Sequence, residues 1–138
     1  MLRPARSCGA AIACLLAGCA VKPAAETTPA PVVLSAAQLW QRPPERALFN
    51  GLRFYEEGLF DQAEQAFRSA LLQGLRDRRD VAVAHKFLAF IACAFNRLAE
   101  CEQQFRNAVA AEPTFILTDA EIGHPIWGPV YRKVVGKP

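Results

Sequence analysis

Five cysteines and two histidines are the side chains of this chain that could act as nucleophiles, redox groups or metal ligands. A thiol can be acylated, oxidised to a disulfide or bound to a metal, and an imidazole can serve as a base or a ligand. The residues are Cys8, Cys14, Cys19, His85, Cys93, Cys101 and His124. The last four include no close-spaced ligand pair such as Cys-x-x-Cys, so their spacing argues against a metal site.

Cys19 follows a segment with the three parts of an export signal. Arg3 and Arg6 give it a basic start, an apolar core runs over about 9–16, and small residues precede Cys19. The apolar core is too short to span a bilayer as a helix. We therefore predict a signal peptide over residues 1–18 and a mature chain of 120 residues that begins at Cys19.

The string Leu16-Ala17-Gly18-Cys19 resembles the lipobox of bacterial lipoproteins. The resemblance implies that the Cys19 thiol is diacylated and its amine acylated, so that several lipid tails anchor the chain to a lipid bilayer. The alternative is an ordinary secretory signal with Cys at its cleavage site, which gives the same export. Ala20 is not the Asp that marks lipoproteins for inner-membrane retention. We therefore expect a periplasm-facing protein in the cell envelope, on the outer membrane rather than the inner membrane.

Cys93 and Cys101 are the only thiols that remain, because Cys8 and Cys14 leave with the signal peptide and Cys19 is acylated. In an oxidising compartment, a disulfide between the two is the first expectation. The bond requires that the two helices carrying these residues approach closely enough for its geometry.

Charge and motif content argue against two classes of function. Without Arg3 and Arg6 the chain keeps 14 basic and 13 acidic side chains, a balance that does not indicate binding to nucleic acid. The serines after the signal are Ser35 and Ser69, and there is no Gly-x-Ser-x-Gly elbow, phosphate-binding glycine loop or His/Glu metal helix. We therefore predict that the protein is not an enzyme and needs no cofactor or small-molecule substrate.

Residues 19–34 are rich in Pro, Ala and Thr and poor in large apolar side chains, which predicts a flexible tether after the lipidated cysteine. The folded domain is expected over 35–138. Ser35 and Gln38 match a capping box for a short helix over about 36–41.

An apolar pattern repeats along the domain with an offset of 38 residues. The corresponding residues are Phe60, Ala63, Phe67 and Ala70 in the first copy, and Leu98, Cys101, Phe105 and Ala108 in the second. Their spacing places each set on one helix face, and the small members let a second helix pack closely. Another apolar-periodic segment precedes each copy, so the repeating unit is a helical hairpin.

Both copies resemble the tetratricopeptide repeat in the order of their small, aromatic and turn positions. The residues that carry the resemblance are Gly51, Phe54, Gly58, Ala63, Phe67 and Ala70, then Ala89, Phe105, Ala108 and Pro113. It implies an all-α fold with two tetratricopeptide hairpins over about 44–77 and 82–115. The charged run at 76–80 between them is either a solvated loop, which we favour, or a docking patch.

Two repeats alone would leave the ends of the stack open, so flanking segments must cover them. Thr118 and Glu121 form a second capping box, and Gly123 can end that turn in a left-handed conformation. An apolar stripe follows, with Pro129 in its first helical turn. We therefore predict a C-terminal capping segment over 118–135.

Residues 85–93 (His-Lys-Phe-Leu-Ala-Phe-Ile-Ala-Cys) and 123–130 (Gly-His-Pro-Ile-Trp-Gly-Pro-Val), together with the lipobox, resemble the TssQ family of lipoproteins associated with type VI secretion. The second string is the more specific. The resemblance implies an accessory envelope lipoprotein of a type VI secretion system, with protein partners among its components. Two alternatives stay open: a scaffold lipoprotein of a pilus or outer-membrane complex, and a self-associating structural lipoprotein.

The predicted function is that of a protein–protein interaction scaffold or adaptor, which holds a partner along the first helices of both hairpins. The candidate partner-binding residues are Asn50, Arg53, Phe54, Lys86, Phe90, His124 and Trp127. Packing in the core is the alternative for both phenylalanines. His124 either fixes the corner before Pro125 or touches the partner, and Trp127 is either a core anchor or an exposed hot spot.

Overall fold

A computed structural model describes Ser35, Gln38 and residues 41–136, and these residues form helices and no strands. The helices are α1 (Pro43–Glu56), α2 (Phe60–Gln73), α3 (Arg78–Ala94), α4 (Leu98–Ala111), α5 (Asp119–Ile122) and α6 (Trp127–Val134). The predicted all-α fold of two hairpins and a C-terminal capping helix is confirmed. The predicted signal peptide, the lipidation site Cys19 and the tether lie outside the described residues.

The chain enters the first hairpin through a proline-led helix. Pro43 and Pro44 occupy the first two positions of α1, where a missing N–H costs no hydrogen bond. Before them, the Gln38 N–H donates to Ser35 Oγ at 3.3 Å and the Ser35 N–H donates to Gln38 Oε1 at 2.8 Å, as the predicted capping box requires. The rest of the helix predicted there falls largely on residues that the structure does not describe.

The two hairpin turns have the same hydrogen bonds, 38 residues apart. In the first turn the Leu59 N–H donates to the Phe54 carbonyl at 2.8 Å, and in the second the Arg97 N–H donates to Ala92 at 2.8 Å. The residue before each donor, Gly58 or Asn96, has a positive φ of 75° or 58°. Glycine and asparagine adopt this left-handed conformation most readily. The repeat seen in the sequence is therefore a repeat of backbone geometry.

The second helix of each hairpin turns its small and aromatic residues into the core. Ala63, Phe67, Ala70, Cys101, Phe105 and Ala108 are all fully buried. Two core clusters result, one between the first hairpin and α3 and one between the second hairpin and the C-terminal segment. Tyr55 and Phe87 pack against both clusters, with their ring centroids 4.8 Å apart. The hairpins therefore share one continuous apolar interior.

The prediction that residues 76–80 form a solvated loop holds for 76–77 but is wrong for 78–80, which are helical. Helix α3 begins at Arg78, and Asp77 is its N-cap, with a carboxylate oxygen that accepts from the Arg79 N–H at 2.8 Å. An Asp cap satisfies an otherwise free N–H, and Asp80 in the first turn favours the helix dipole. These local interactions start α3 four residues before the predicted repeat boundary at 82.

Four charged side chains join the second helices of the two hairpins. Arg97 Nη2 lies 2.6 Å from Glu64 Oε2 and Arg97 Nη1 lies 2.9 Å from Glu100 Oε2. Arg68 Nη2 lies 2.8 Å from Glu64 Oε1 and 2.5 Å from Glu100 Oε1. Each arginine thus bridges both glutamates, which ties α2 to α4 at their surface.

Glu64→Gln is expected to lower the free energy of unfolding at neutral pH by about 1–2 kcal/mol, less than the full pKa shift implies because water screens the network. Hydrogen bonds from Arg97 and Arg68 lower the pKa of Glu64 from 4.5 to about 2. The folded pKa is the lower one, so this stabilisation is complete above pH 4.5 and disappears as the pH falls to about 2.

Denaturant unfolding of the wild type and Glu64→Gln across this pH range checks the prediction, because their difference should shrink toward zero in acid. Glu57→Gln is the matched control, since it removes only the exposed ion pair with Arg53 and should change stability little. If Glu64→Gln still unfolds more easily than the wild type at the lowest pH, packing and not the carboxylate charge is responsible.

The connection after the second hairpin folds as a short capped turn. The predicted capping box is confirmed: the Glu121 N–H donates to Thr118 Oγ1 at 3.3 Å, and the Thr118 N–H donates to Glu121 Oε2 at 2.9 Å. The predicted left-handed Gly123 is wrong, because its φ is −71°. Its N–H continues the helical pattern by donating to the Asp119 carbonyl at 3.0 Å.

Helix α6 covers the open side of the second hairpin, as predicted, and Pro129 lies in its first turn. Tyr131 is buried with its ring centroid 5.3 Å from that of Phe105, and its hydroxyl donates to the Phe115 carbonyl at 3.3 Å. Arg132 Nη1 donates to the Ile122 carbonyl at 3.0 Å, which ties α6 to α5. Helices α5 and α6 are together called the cap.

Candidate functional site

Cys93 and Cys101 form a disulfide, as predicted. They join the end of α3 to the start of α4, with their Cα atoms 5.2 Å apart, and both are buried. In the first hairpin the same two positions hold Tyr55 and Ala63. The disulfide therefore closes the second hairpin at positions that an aromatic residue and a small residue occupy in the first.

His124 and Trp127 form the corner between the two parts of the cap. The two rings stack with centroids 3.3 Å apart, and the indole also stacks on Phe90 with a centroid distance of 4.4 Å. His124 Nδ1 accepts a hydrogen bond from the Ile126 N–H at 3.2 Å. This geometry supports the interpretation that His124 fixes the corner and that Trp127 anchors the cap. Contact of either residue with a partner stays a prediction.

Phe90 is only 3% exposed and stacks against Trp127. The prediction that it contacts a partner is therefore wrong, and the alternative of packing in the core is correct. The cap, which sequence reasoning placed at the end of the stack, covers this ring. Lys86 is also engaged within the domain. Its Nζ lies 2.7 Å from Glu121 Oε1 and 4.7 Å from the centroid of the Phe87 ring.

Three predicted partner-binding residues lie on α1 and stay at least partly accessible. The Arg53 guanidinium is exposed, lies 4.6 Å from the centroid of the Phe54 ring and pairs with Glu57 at 3.1 Å. Asn50 and Phe54 are half-buried. No ion pair or ring contact joins Arg53 or Phe54 to Lys86 in the described part of the chain.

His85 belongs to the packing between helices. Its Nδ1 lies 2.7 Å from Gln104 Oε1, and burial lowers the pKa of the imidazole, which favours the neutral form. Over residues 41–136, no group of three or more histidine, cysteine or acidic side chains is placed to hold a metal ion. No helix within the described part of the chain is long and apolar enough to cross a membrane.

An exposed apolar surface lies at the two hairpin turns, and sequence reasoning missed it. Leu59, Phe95 and Leu98 are 40%, 55% and 50% exposed, and the Phe60 and Phe95 ring centroids lie 6.0 Å apart. We call these four residues the turn surface. Phe95 occupies the position that Glu57 holds in the first hairpin. This replacement of a charged residue by an aromatic one could have indicated the surface from the sequence.

A second apolar feature is an open cleft of about 730 Å³ between α4 and the cap. Its lining is mostly aliphatic and aromatic, with Asp119 and Arg132 as the charged members. Arg132 is already bonded to the Ile122 carbonyl. Its mostly apolar lining suits contact with apolar groups.

Compared with protein-family models, curated proteins and solved structures, the chain gives no match.

Proposed function

We propose that the chain is a lipid-anchored periplasmic adaptor, and that it serves as an accessory component of a bacterial type VI secretion system. Its folded domain would hold a protein partner near the membrane by surface contact and without catalysis. The location and the secretion machine rest on the lipobox and on the TssQ-like strings at 85–93 and 123–130.

The observation that carries the adaptor role is the turn surface. A soluble domain seldom keeps large apolar side chains exposed side by side unless another molecule covers them. Phe95 and Leu98 stand on either side of one tight turn, and Leu59 comes from the neighbouring turn, so the surface spans both hairpins. The ion pairs between α2 and α4 fix the two turns relative to each other, which gives a partner a preorganised contact area.

The TssQ-like string at 123–130 also has a structural role in the domain. Its Trp127 packs on Phe90, and its Gly128 N–H donates to the His124 carbonyl at 3.0 Å. The string therefore forms the corner that docks the cap on the second hairpin. Phe90 and His124 both stack on the Trp127 ring, so this side chain is engaged within the domain.

The test is an affinity purification of the natively expressed protein from gently solubilised membranes, with partners identified by mass spectrometry. Recovery of type VI membrane-complex or baseplate components, lost with the Cys19→Ser variant, is the expected result. Recovery of pilus or other envelope-assembly proteins without any type VI subunit would overturn the assignment to that machine.

Replacing Phe95 and Leu98 by serine is expected to reduce partner recovery roughly tenfold, because exposed anchors of this kind dominate interface energy. Leu72→Ser is the matched control, since Leu72 is 89% exposed on α2 and lies away from the turns. Circular dichroism should show the same helix content in all three proteins. Equal recovery with the wild type and the double variant would show that the turn surface is not the interface.

A further inference from the structure

The end of the domain where the chain enters it carries five arginines. Helices in a hairpin alternate in direction, so α1 and α3 begin at this end and α2 and α4 finish there, opposite the turn surface. The arginines are Arg42, Arg46, Arg76, Arg78 and Arg79, which we call the arginine face. They come from two separate segments, the start of α1 and the connection from α2 into α3.

A shared cleft shows that these two segments meet, and two further contacts place two of the other arginines. Arg42 and Arg76 line one open cleft of about 400 Å³. Arg46 lies one helical turn after Arg42, since its N–H donates to the Arg42 carbonyl at 3.0 Å. Arg78 Nη2 lies 3.7 Å from Glu112 at the end of α4. The five side chains thus surround the ends of all four hairpin helices.

The acidic side chains at this end are buried or form hydrogen bonds and ion pairs within the domain. Glu45 is buried and pairs with Arg42 at 2.8 Å, and Asp77 caps α3. Asp80 is half-buried, and Glu112 Oε1 accepts from the Thr114 hydroxyl at 2.7 Å.

The remaining positive charge is accessible. Arg46, Arg76 and Arg79 are exposed, and in the described part of the chain none of them forms an ion pair. The exposed charge where the chain enters is therefore mainly basic, because Glu45 and Glu112 are buried there. At the turn end Glu56 and Asp61 are exposed, and Asp61 lies near Arg97.

We propose that the arginine face binds the anionic phospholipid headgroups of the membrane that carries the anchor. This orientation presents the turn surface away from the bilayer, toward a partner. It extends the proposed function, since it assumes the lipid anchor. Each basic side chain near an anionic surface strengthens binding about fivefold. Such weak contacts suffice for a tethered domain, because the tether keeps its effective concentration at the membrane high.

The test uses the mature-length chain, residues 19–138, with Cys19→Ser, so that no acyl group contributes to binding. This chain includes the compact unit Val33–Pro138 with both core clusters. Co-sedimentation is measured with vesicles of phosphatidylcholine alone and of phosphatidylcholine with about one third phosphatidylglycerol, at low and at physiological salt. We expect binding to the anionic vesicles only, weakened by salt.

Arg46→Gln, Arg76→Gln and Arg79→Gln together should weaken this binding by at least about tenfold. The matched control replaces Arg53, Arg106 and Lys133 by glutamine, which removes the same charge from other faces and should leave most of the binding. Equal losses in the two triple variants, or no binding of the wild type to anionic vesicles, would overturn the proposal. Acylation of Cys19, measured separately by mass spectrometry on the membrane-extracted protein, shows whether the anchor itself is absent.

Discussion

Gly128→Ala is expected to lower the free energy of unfolding by about 3 kcal/mol and to loosen the cap. A Cβ atom at this position would overlap the backbone carbonyl oxygen of Ile122. The same oxygen accepts a hydrogen bond from Arg132 at 3.0 Å, so α5 cannot move aside without losing that bond. The added methyl group must therefore push α6 away from α5, and this cost exceeds the gain of about 1 kcal/mol that alanine brings to a helix interior.

Denaturant unfolding followed by circular dichroism measures the loss. Indole fluorescence in a Trp40→Phe background reports the cap, since Trp127 should shift to longer wavelength when it leaves Phe90. Gly123→Ala is the control in the same segment, because its φ of −71° suits any residue and the nearest atom to a new Cβ is 3.3 Å away. It should cost less than about 1 kcal/mol. Similar losses in both variants would show that the close approach at Gly128 is not what holds the cap.

The two hairpins could be predicted from the sequence because their signals are local and occur twice. Small and aromatic residues alternate on the buried face of α2, and Phe67 and Phe105 recur at the same place in each helix. The turns follow from Gly58 and Asn96, residue types that tolerate a positive φ. Chance rarely produces the same apolar spacing twice in one chain, so the second copy supports the helix predicted from the first.

The start of α3 could not be placed from the repeat because a different kind of signal sets it. Apolar periodicity begins only after the charged run, whereas the helix begins where Asp77 can cap it. Apolar periodicity therefore places the start of α3 too late. The arginines in the first turn of α3 then fall outside the predicted helix.

The surroundings of the candidate site depend on contacts between distant parts of the chain. Lys86 and Glu121 are 35 residues apart, and nothing in the sequence of either segment specifies their pairing. Phe90 is covered on one side by the cap, which folds back and stacks Trp127 on it. Spacing along one helix shows which face a residue occupies, but the packing of another element on that face appears only in the folded structure.

Breaking the disulfide is expected to lower the free energy of unfolding by about 2.5 kcal/mol, through the entropy of a short loop in the unfolded chain. The two cysteines are eight residues apart in sequence, and the bond closes the turn between α3 and α4. The second hairpin depends on this bond because α4 also supports the cap through Phe105 and Tyr131. For a domain of this size, such a loss corresponds to a fall of roughly 10–15 °C in Tm.

Thermal unfolding of the chain with Cys19→Ser, with and without reductant, isolates the bond, because Cys93 and Cys101 are then the only cysteines of residues 19–138. The oxidised protein should be the more stable, and thiol titration under denaturing conditions should find two thiols only after reduction. The variant with both cysteines replaced by alanine is the control. It should unfold at one temperature in either buffer, near the value of the reduced protein, since Ala63 already fills the equivalent of position 101 in the first hairpin. A reductant-induced shift of the same size in that variant would mean that the reagent, and not the bond, destabilises the fold.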